Sequence, residues 1–126
     1  MARIVFETNL GVNAFPLNTA NDEFKGFDVS DKDIGGLQVV WSGATSSDAF
    51  TSKGKFDVQI SNDGLNWNTL KDTVNADVSI EIGVAAGNTH IRLITIDFKW
   101  IRLKWTKNNS TGGTAKCFGI FKAQGF

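Results

Sequence analysis

Between Lys55 and Ser61 apolar and polar residues alternate strictly, with Phe56, Val58 and Ile60 on one side of an extended chain and Asp57, Gln59 and Ser61 on the other. Asn62-Asp63-Gly64 follows, three residues that tolerate positive φ and reverse the chain, and Trp67 is expected to fold back as a cap on the core. The same period of two recurs elsewhere. Leu37, Val39 and Trp41 alternate with Gln38, Val40 and Ser42 ahead of a small-residue loop from Gly43 to Gly54. Val78, Ile80, Ile82 and Val84 alternate with Ser79, Glu81 and Gly83 until Ala85-Ala86-Gly87-Asn88 breaks the run. Ile91 to Ile96 and Lys99 to Thr106 read as two strands or one bent strand, with Ile101, Leu103 and Trp105 inward and Arg102 and Lys104 outward. A turn spans Asn108 to Gly113. The last strand, Thr114 to Ala123, is apolar on both faces, since Cys117 and Phe121 alternate with Phe118 and Ile120. A sandwich strand ordinarily has one wet face, so protein is expected to cover both faces here.

The N-terminal part is less regular. Arg3 to Thr8 predicts a first strand, followed by a polar connection containing Asn13, Pro16, Asn18 and Asn21. Glu23 to Gly36 is turn-rich, with Gly26, Gly35 and Gly36 punctuating Asp28, Asp31 and Asp33, and is expected to wrap one end of a sheet without long pairing. No window keeps a helical period, and no repeat is visible. The pattern predicts an all-β chain forming an antiparallel β-sandwich of jelly-roll type. It is expected to be one domain over residues 1–126, with 1–36 as its less regular segment.

Composition narrows the function classes. A chain of 126 residues with 41% hydrophobic residues, ten Phe and four Trp can sustain one packed core. Thirteen basic residues balance thirteen acidic ones, which removes the charge footprint of a nucleic-acid or anionic-membrane binder and favours self-association. One cysteine excludes an internal disulfide and suits synthesis in a reducing cytosol. The start Met1-Ala2-Arg3-Ile4-Val5-Phe6-Glu7 is too short an apolar run for a signal peptide, so export by the general secretory route is not expected unless a leader has been removed. The sequons at Asn108 and Asn109 are then expected to carry no glycan.

Reactive chemistry is sparse. His90 has no Gly-x-Ser-x-Gly elbow to accompany it, and Cys117 sits mid-strand between Lys116 and Phe118, where a small hydrophobe is the commoner role. Asp31-x-Asp33-x-Gly35 resembles the start of a calcium loop but lacks the later glutamate, and aspartates also serve turns. One His and one Cys do not make a zinc set, and no phosphate or dinucleotide motif is present, so no catalytic residue, metal or cofactor is expected. Tryptophans could instead stack on sugars. Trp41 and Trp105 fall in phase with core neighbours, whereas Trp100 falls in phase with Arg102 and Lys104. These last three form a candidate ligand or interface surface.

Two resemblances add to this. Residues 56–70, Phe-Asp-Val-Gln-Ile-Ser-Asn-Asp-Gly-Leu-Asn-Trp-Asn-Thr-Leu, resemble the corresponding strand and turn of discoidin-type jelly rolls, and Phe98-Lys-Trp-Ile-Arg-Leu-Lys-Trp resembles their penultimate core strand. The paired terminal cysteines of those domains are absent. The chain also resembles small bacteriophage virion structural proteins, through Gln-Val-Val-Trp-Ser-Gly at 38–43, Val-Gln-Ile-Ser-Asn-Asp-Gly with its following Trp67, Trp-Ile-Arg-Leu-Lys-Trp-Thr, and Ser-Thr-Gly-Gly-Thr at 110–114 before a closing strand. This second resemblance runs in matching order from about Gly36 to Ala123. It implies a non-enzymatic capsid decoration, spike or tail component, made in the bacterial cytoplasm and residing in the virion. Its expected partners are copies of itself, for example as a trimer, and other capsid or tail proteins. Phe118, Ile120 and Phe126 are the candidate subunit interface. The alternative is a carbohydrate-binding module recognising a surface glycan through Trp100, Asn66 and Asn108.

Overall fold

A computed structural model describes residues 4–9, 14–47 and 52–123. Eleven strands are present among them and no helix. They are β1 (Ile4–Asn9), β2 (Phe15–Pro16), β3 (Asp22–Glu23), β4 (Phe27–Asp28), β5 (Ile34–Ser46), β6 (Gly54–Ser61), β7 (Asn68–Thr69), β8 (Ser79–Glu81), β9 (Gly87–Leu93), β10 (Trp100–Lys107) and β11 (Ser110–Ala123). One sheet has the order β1-β11-β5-β9, with β2 also on β11. The other has the order β3-β10-β6-β7, with β4 on β10 and β8 on β6. Every pairing is antiparallel. From β5 onward the chain crosses to the second sheet at β6, returns at β9, crosses again at β10 and returns at β11. These crossings make an all-β sandwich of jelly-roll type.

The period of two sets which residues fill the space between the sheets. Leu37, Val39 and Trp41 from β5, with Ala115, Cys117 and Phe121 from β11, meet Phe56 and Val58 from β6 and Ile101, Leu103 and Trp105 from β10. Phe56 and Trp105 are opposite each other in the register, fully buried, with ring centroids 4.8 Å apart. Phe15 and Phe24 join them, also 4.8 Å apart and edge-on. Such pairs contribute about 0.5–1.5 kcal/mol beyond their buried area. The Trp105 indole N–H donates to the Thr19 carbonyl at 2.9 Å, and that of Trp41 donates to the Val84 carbonyl at 2.9 Å, so neither ring buries an unpaired donor.

Several expectations are corrected. β5 begins at Ile34 and runs on to Ser46, through residues expected in a loop. β11 likewise starts at Ser110, inside the expected turn, because register shifts at Ser110/Gly112 and Gly112/Thr114 absorb the small residues without ending the ladder. The segment 78–84 is a regular strand only over β8, with the Val78 carbonyl accepting from the Val58 N–H and the Ile82 N–H donating to the Gly54 carbonyl on either side of it, and Val84 is 59% exposed rather than core. Of the two readings of residues 91–106, the two-strand one holds rather than the bent strand: β9 and β10 lie in different sheets, and the chain crosses the sandwich between Leu93 and Trp100. Trp67 does not cap the core; it lies half-buried on the outer face of the second sheet.

Candidate functional site

Two outer faces carry the residues that the sequence singled out. On the second sheet, Ile101 and Leu103 point inward, which places Trp100, Arg102 and Lys104 together on the outer side. Opposite them in register lie Ser61, Gln59 and Asp57. Arg102 is committed three ways. Its Nε donates to Gln59 Oε1 at 2.8 Å, its Nη1 stands 3.1 Å from Glu23 Oε2, and its guanidinium lies 4.3 Å from the Trp67 ring centroid. Trp67 in turn covers Gly26, where a Cβ would come within 2.7 Å of the indole. Trp100 is half-buried, with Gly64 packed near its ring. Asp57 is buried beside Lys55, whose Nζ is 3.7 Å from Oδ1, and that oxygen receives no hydrogen bond. This face is therefore largely satisfied by the chain's own side chains.

At the end of β6 a polar concavity of about 520 Å³ is lined by Asn62, Asp63, Asn66, Asn68 and Asp97, among others. Its central carboxylate is already in use. Asp63 Oδ1 accepts the backbone N–H groups of Leu65 and Asn66, each at 2.8 Å, and Ser61 Oγ lies 2.9 Å away. The Asn66 side-chain amide donates to Oδ2 at 2.7 Å. The backbone N–H of Asn66, then that of Leu65, then the Asn66 amide hold the Asp63 carboxyl well below the usual aspartate range. Of the residues considered for a glycan, Asn66 is thus bound to Asp63, and Asn108 donates to the Ser52 carbonyl at 2.7 Å.

The first sheet differs. Phe118 and Ile120 project outward from β11 with 37% and 41% of their surface exposed, while Cys117 and Phe121 beside them are buried. The two apolar faces read along this strand are real, and the outer one stays partly open to solvent. Phe126 lies outside the described residues. Next to Ile120 a groove of about 600 Å³ opens over Gly35 and Gly36, walled by Ile34, His90, Arg92, Leu93, Ile94 and Lys122. Sequence reasoning missed this groove. Its residues come from β5, β9, the segment after β9, and β11, and they meet only through the antiparallel register that sets Gly36 between Ile120 and Arg92. No linear motif could announce it. The nearest signal was Gly35-Gly36 within an otherwise apolar strand, since a Cβ on Gly36 would reach to 3.4 Å from His90 Nε2.

The two groups with nucleophile or base chemistry are kept apart. Cys117 pairs with Val39, which pairs with Thr89, whereas His90 pairs with Gln38 one residue out of phase, so thiol and imidazole lie on opposite sides of the sheet. Burial pushes the Cys117 thiol up to about 12. Among the described residues no group of three or more His, Cys, Asp or Glu side chains could hold a metal ion.

No protein-family model matches the chain, and no curated protein matches it in sequence. Its fold does match solved structures. SPBc2 prophage-derived protein YomS aligns over 98% of this chain and 96% of its own, with a TM-score of 0.57 and 16% identity. VP2 from the infectious bursal disease virus subviral particle aligns over 98% of this chain with a TM-score of 0.58 and 12% identity. The infectious bursal disease virus Gx strain structure gives a TM-score of 0.53 and 9% identity over the same share. The chain spans about 33% of each of the two virus chains, so it corresponds to one part of them. At these identities the likeness is one of fold.

Proposed function

We propose that this chain is a non-enzymatic structural component of a bacteriophage virion, a capsid decoration, spike or tail part made in the host cytoplasm. It acts by burying the outer face of its first sheet against another copy or another virion protein. The observation that carries this reading is the placement of Phe118 and Ile120. Both lie exposed on β11, which is flanked by β1 and β5 and is therefore no edge strand. Hydrophobic side chains at the middle of a sheet's outer face are a feature of contact surfaces. The prophage origin of one fold relative, matched nearly end to end, and the particle-forming setting of another support the same reading. Burial of this patch supplies ~25 cal/mol per Å² of apolar area, offset by the cost of association.

Sedimentation velocity over a wide concentration range tests the proposal. Concentration-dependent association is expected, weakened by Phe118→Ser without loss of the folded signal. A wild-type chain that stays monomeric at high concentration and binds no other virion protein would count against it.

A further inference from the structure

The groove beside Ile120 and the turn after β6 have complementary chemistry. Leu65 is the most exposed large hydrophobic side chain among the described residues, at 83%, yet its backbone is fixed because Asp63 accepts the N–H groups of Leu65 and Asn66. Gly64, at φ +75°, supplies the left-handed residue that this turn requires. An apolar side chain on a rigid turn has already lost much of the freedom that binding would cost it. Asp63 is moreover the only charged residue between Ser61 and Leu70. The groove shows the reverse pattern. Ile34, Ile94 and Ile120 give it apolar surface, Ile94 with 75% of its area exposed, while Arg92 and Lys122 stand at its walls and, among the described residues, no carboxylate lines it.

We infer that Leu65 of one copy seats in the Ile34, Ile94 and Ile120 groove of a second copy, with Asp63 facing Arg92 and Lys122. The inference rests on the assembly reading above and gives it a direction. Knob and groove are different patches of one chain, so the contact is heterologous and passes from copy to copy, building a ring if the rotation closes and a filament if it does not. A single seat of this kind buries less than the roughly 1,000 Å² of a stable interface, so it is weak alone and gains strength through repetition in an array.

Variants at Leu65 and Ile94 test this directly, because both side chains are exposed and neither substitution touches the core. In sedimentation velocity, Leu65→Ser and Ile94→Ser are each expected to weaken self-association roughly tenfold or more. The decisive arm uses the Phe118→Ser background, which silences the contact across the sheet face. There, Leu65→Ser retains an intact groove and Ile94→Ser retains an intact knob, so each alone should be monomeric while their equimolar mixture forms one-to-one dimers and nothing larger. Loss of association in Phe118→Ser together with unchanged association in Leu65→Ser would overturn the knob-and-groove contact and leave the proposed function standing. Because one seat is weak, the mixture is read at the highest protein concentration reached, and a mixture that stays monomeric there overturns it as well. A wild-type chain monomeric at every concentration overturns the knob-and-groove contact, and it removes the proposed function as well only where the chain also binds no other virion protein.

Discussion

The Arg102 guanidinium lies over the Trp67 ring at 4.3 Å while its Nε donates to Gln59 and its Nη1 reaches Glu23. One cation thereby ties the loop after β6 and the short strand β3 to the outer face of β6 and β10. A planar, forked cation can stack and donate at once, which a lysine ammonium cannot. Arg102→Lys is expected to destabilise the fold by about 1–2 kcal/mol, and Arg102→Ala by more, because Gln59 is itself buried and loses its partner. Urea denaturation measures this. A Trp67→Ala, Arg102→Ala double-mutant cycle should show a coupling of roughly 1 kcal/mol, and a coupling of zero would mean that the stack contributes nothing.

The turn carrying Leu65 should depend on pH. The carboxyl of Asp63 is depressed in the folded state by the Asn66 and Leu65 N–H groups, which exist in that geometry only there. A depressed acid contributes stability that is present above its unfolded pKa of about 3.9 and is lost as pH falls through the folded value. Asp63→Asn should accordingly lower the urea midpoint at pH 7, and the gap between variant and wild type should shrink as the medium is acidified below about pH 4. A gap that stays constant across that range would show that the charge of Asp63 is irrelevant.

The sandwich was legible because its central strands obey the period of two: Phe56 and Val58, Leu37 and Val39, and Ile101, Leu103 and Trp105 all point inward as their alternation requires. Trp67 was misread for a physical reason. A large aromatic after a turn commonly closes a core, but here Arg102 and Gly26 offered it a polar, stackable seat on the opposite side of the sheet. Strand ends were misplaced where glycines and threonines, which usually punctuate, were absorbed by bulges at Ser110 to Thr114. The apolar outer face of β11 could be read from Phe118 and Ile120. The groove beside it could not, since His90 and Ile120 become neighbours only after three strands have found their register.

Gly87 opens β9 directly beneath Trp41, where a Cβ would stand 2.3 Å from the indole Cζ2. Trp41 is buried and anchored by its bond to Val84, so the ring cannot swing away cheaply. Gly87→Ala is expected to cost about 1–3 kcal/mol through overpacking. Gly83 supplies the control, because nothing lies within 4 Å of its Cβ position. There the alanine should be neutral or stabilising by a few tenths to about 1 kcal/mol, through the reduced freedom of the unfolded chain. Thermal or urea unfolding of the two variants side by side distinguishes a crowded glycine from a merely flexible one, and equal effects would refute the distinction.

Cys117 separates a packing role from a chemical one. Its side chain is 1% exposed between the sheets, and burial raises its pKa to about 12, so at neutral pH almost no thiolate forms and none is accessible. A thiol-disulfide reagent such as Ellman's should therefore leave the native protein unlabelled for as long as it stays folded and react with one equivalent on unfolding in urea. The labelling rate in native buffer then reports the opening of the sandwich rather than the chemistry of the thiol, and should fall in step with any change that stabilises the fold. Cys117→Ala should keep the fold and any association while removing the label, at a cost of about 1 kcal/mol for the lost packing. Rapid stoichiometric labelling of the folded chain would instead reveal an exposed, ionised thiol and would reopen a catalytic role for this residue.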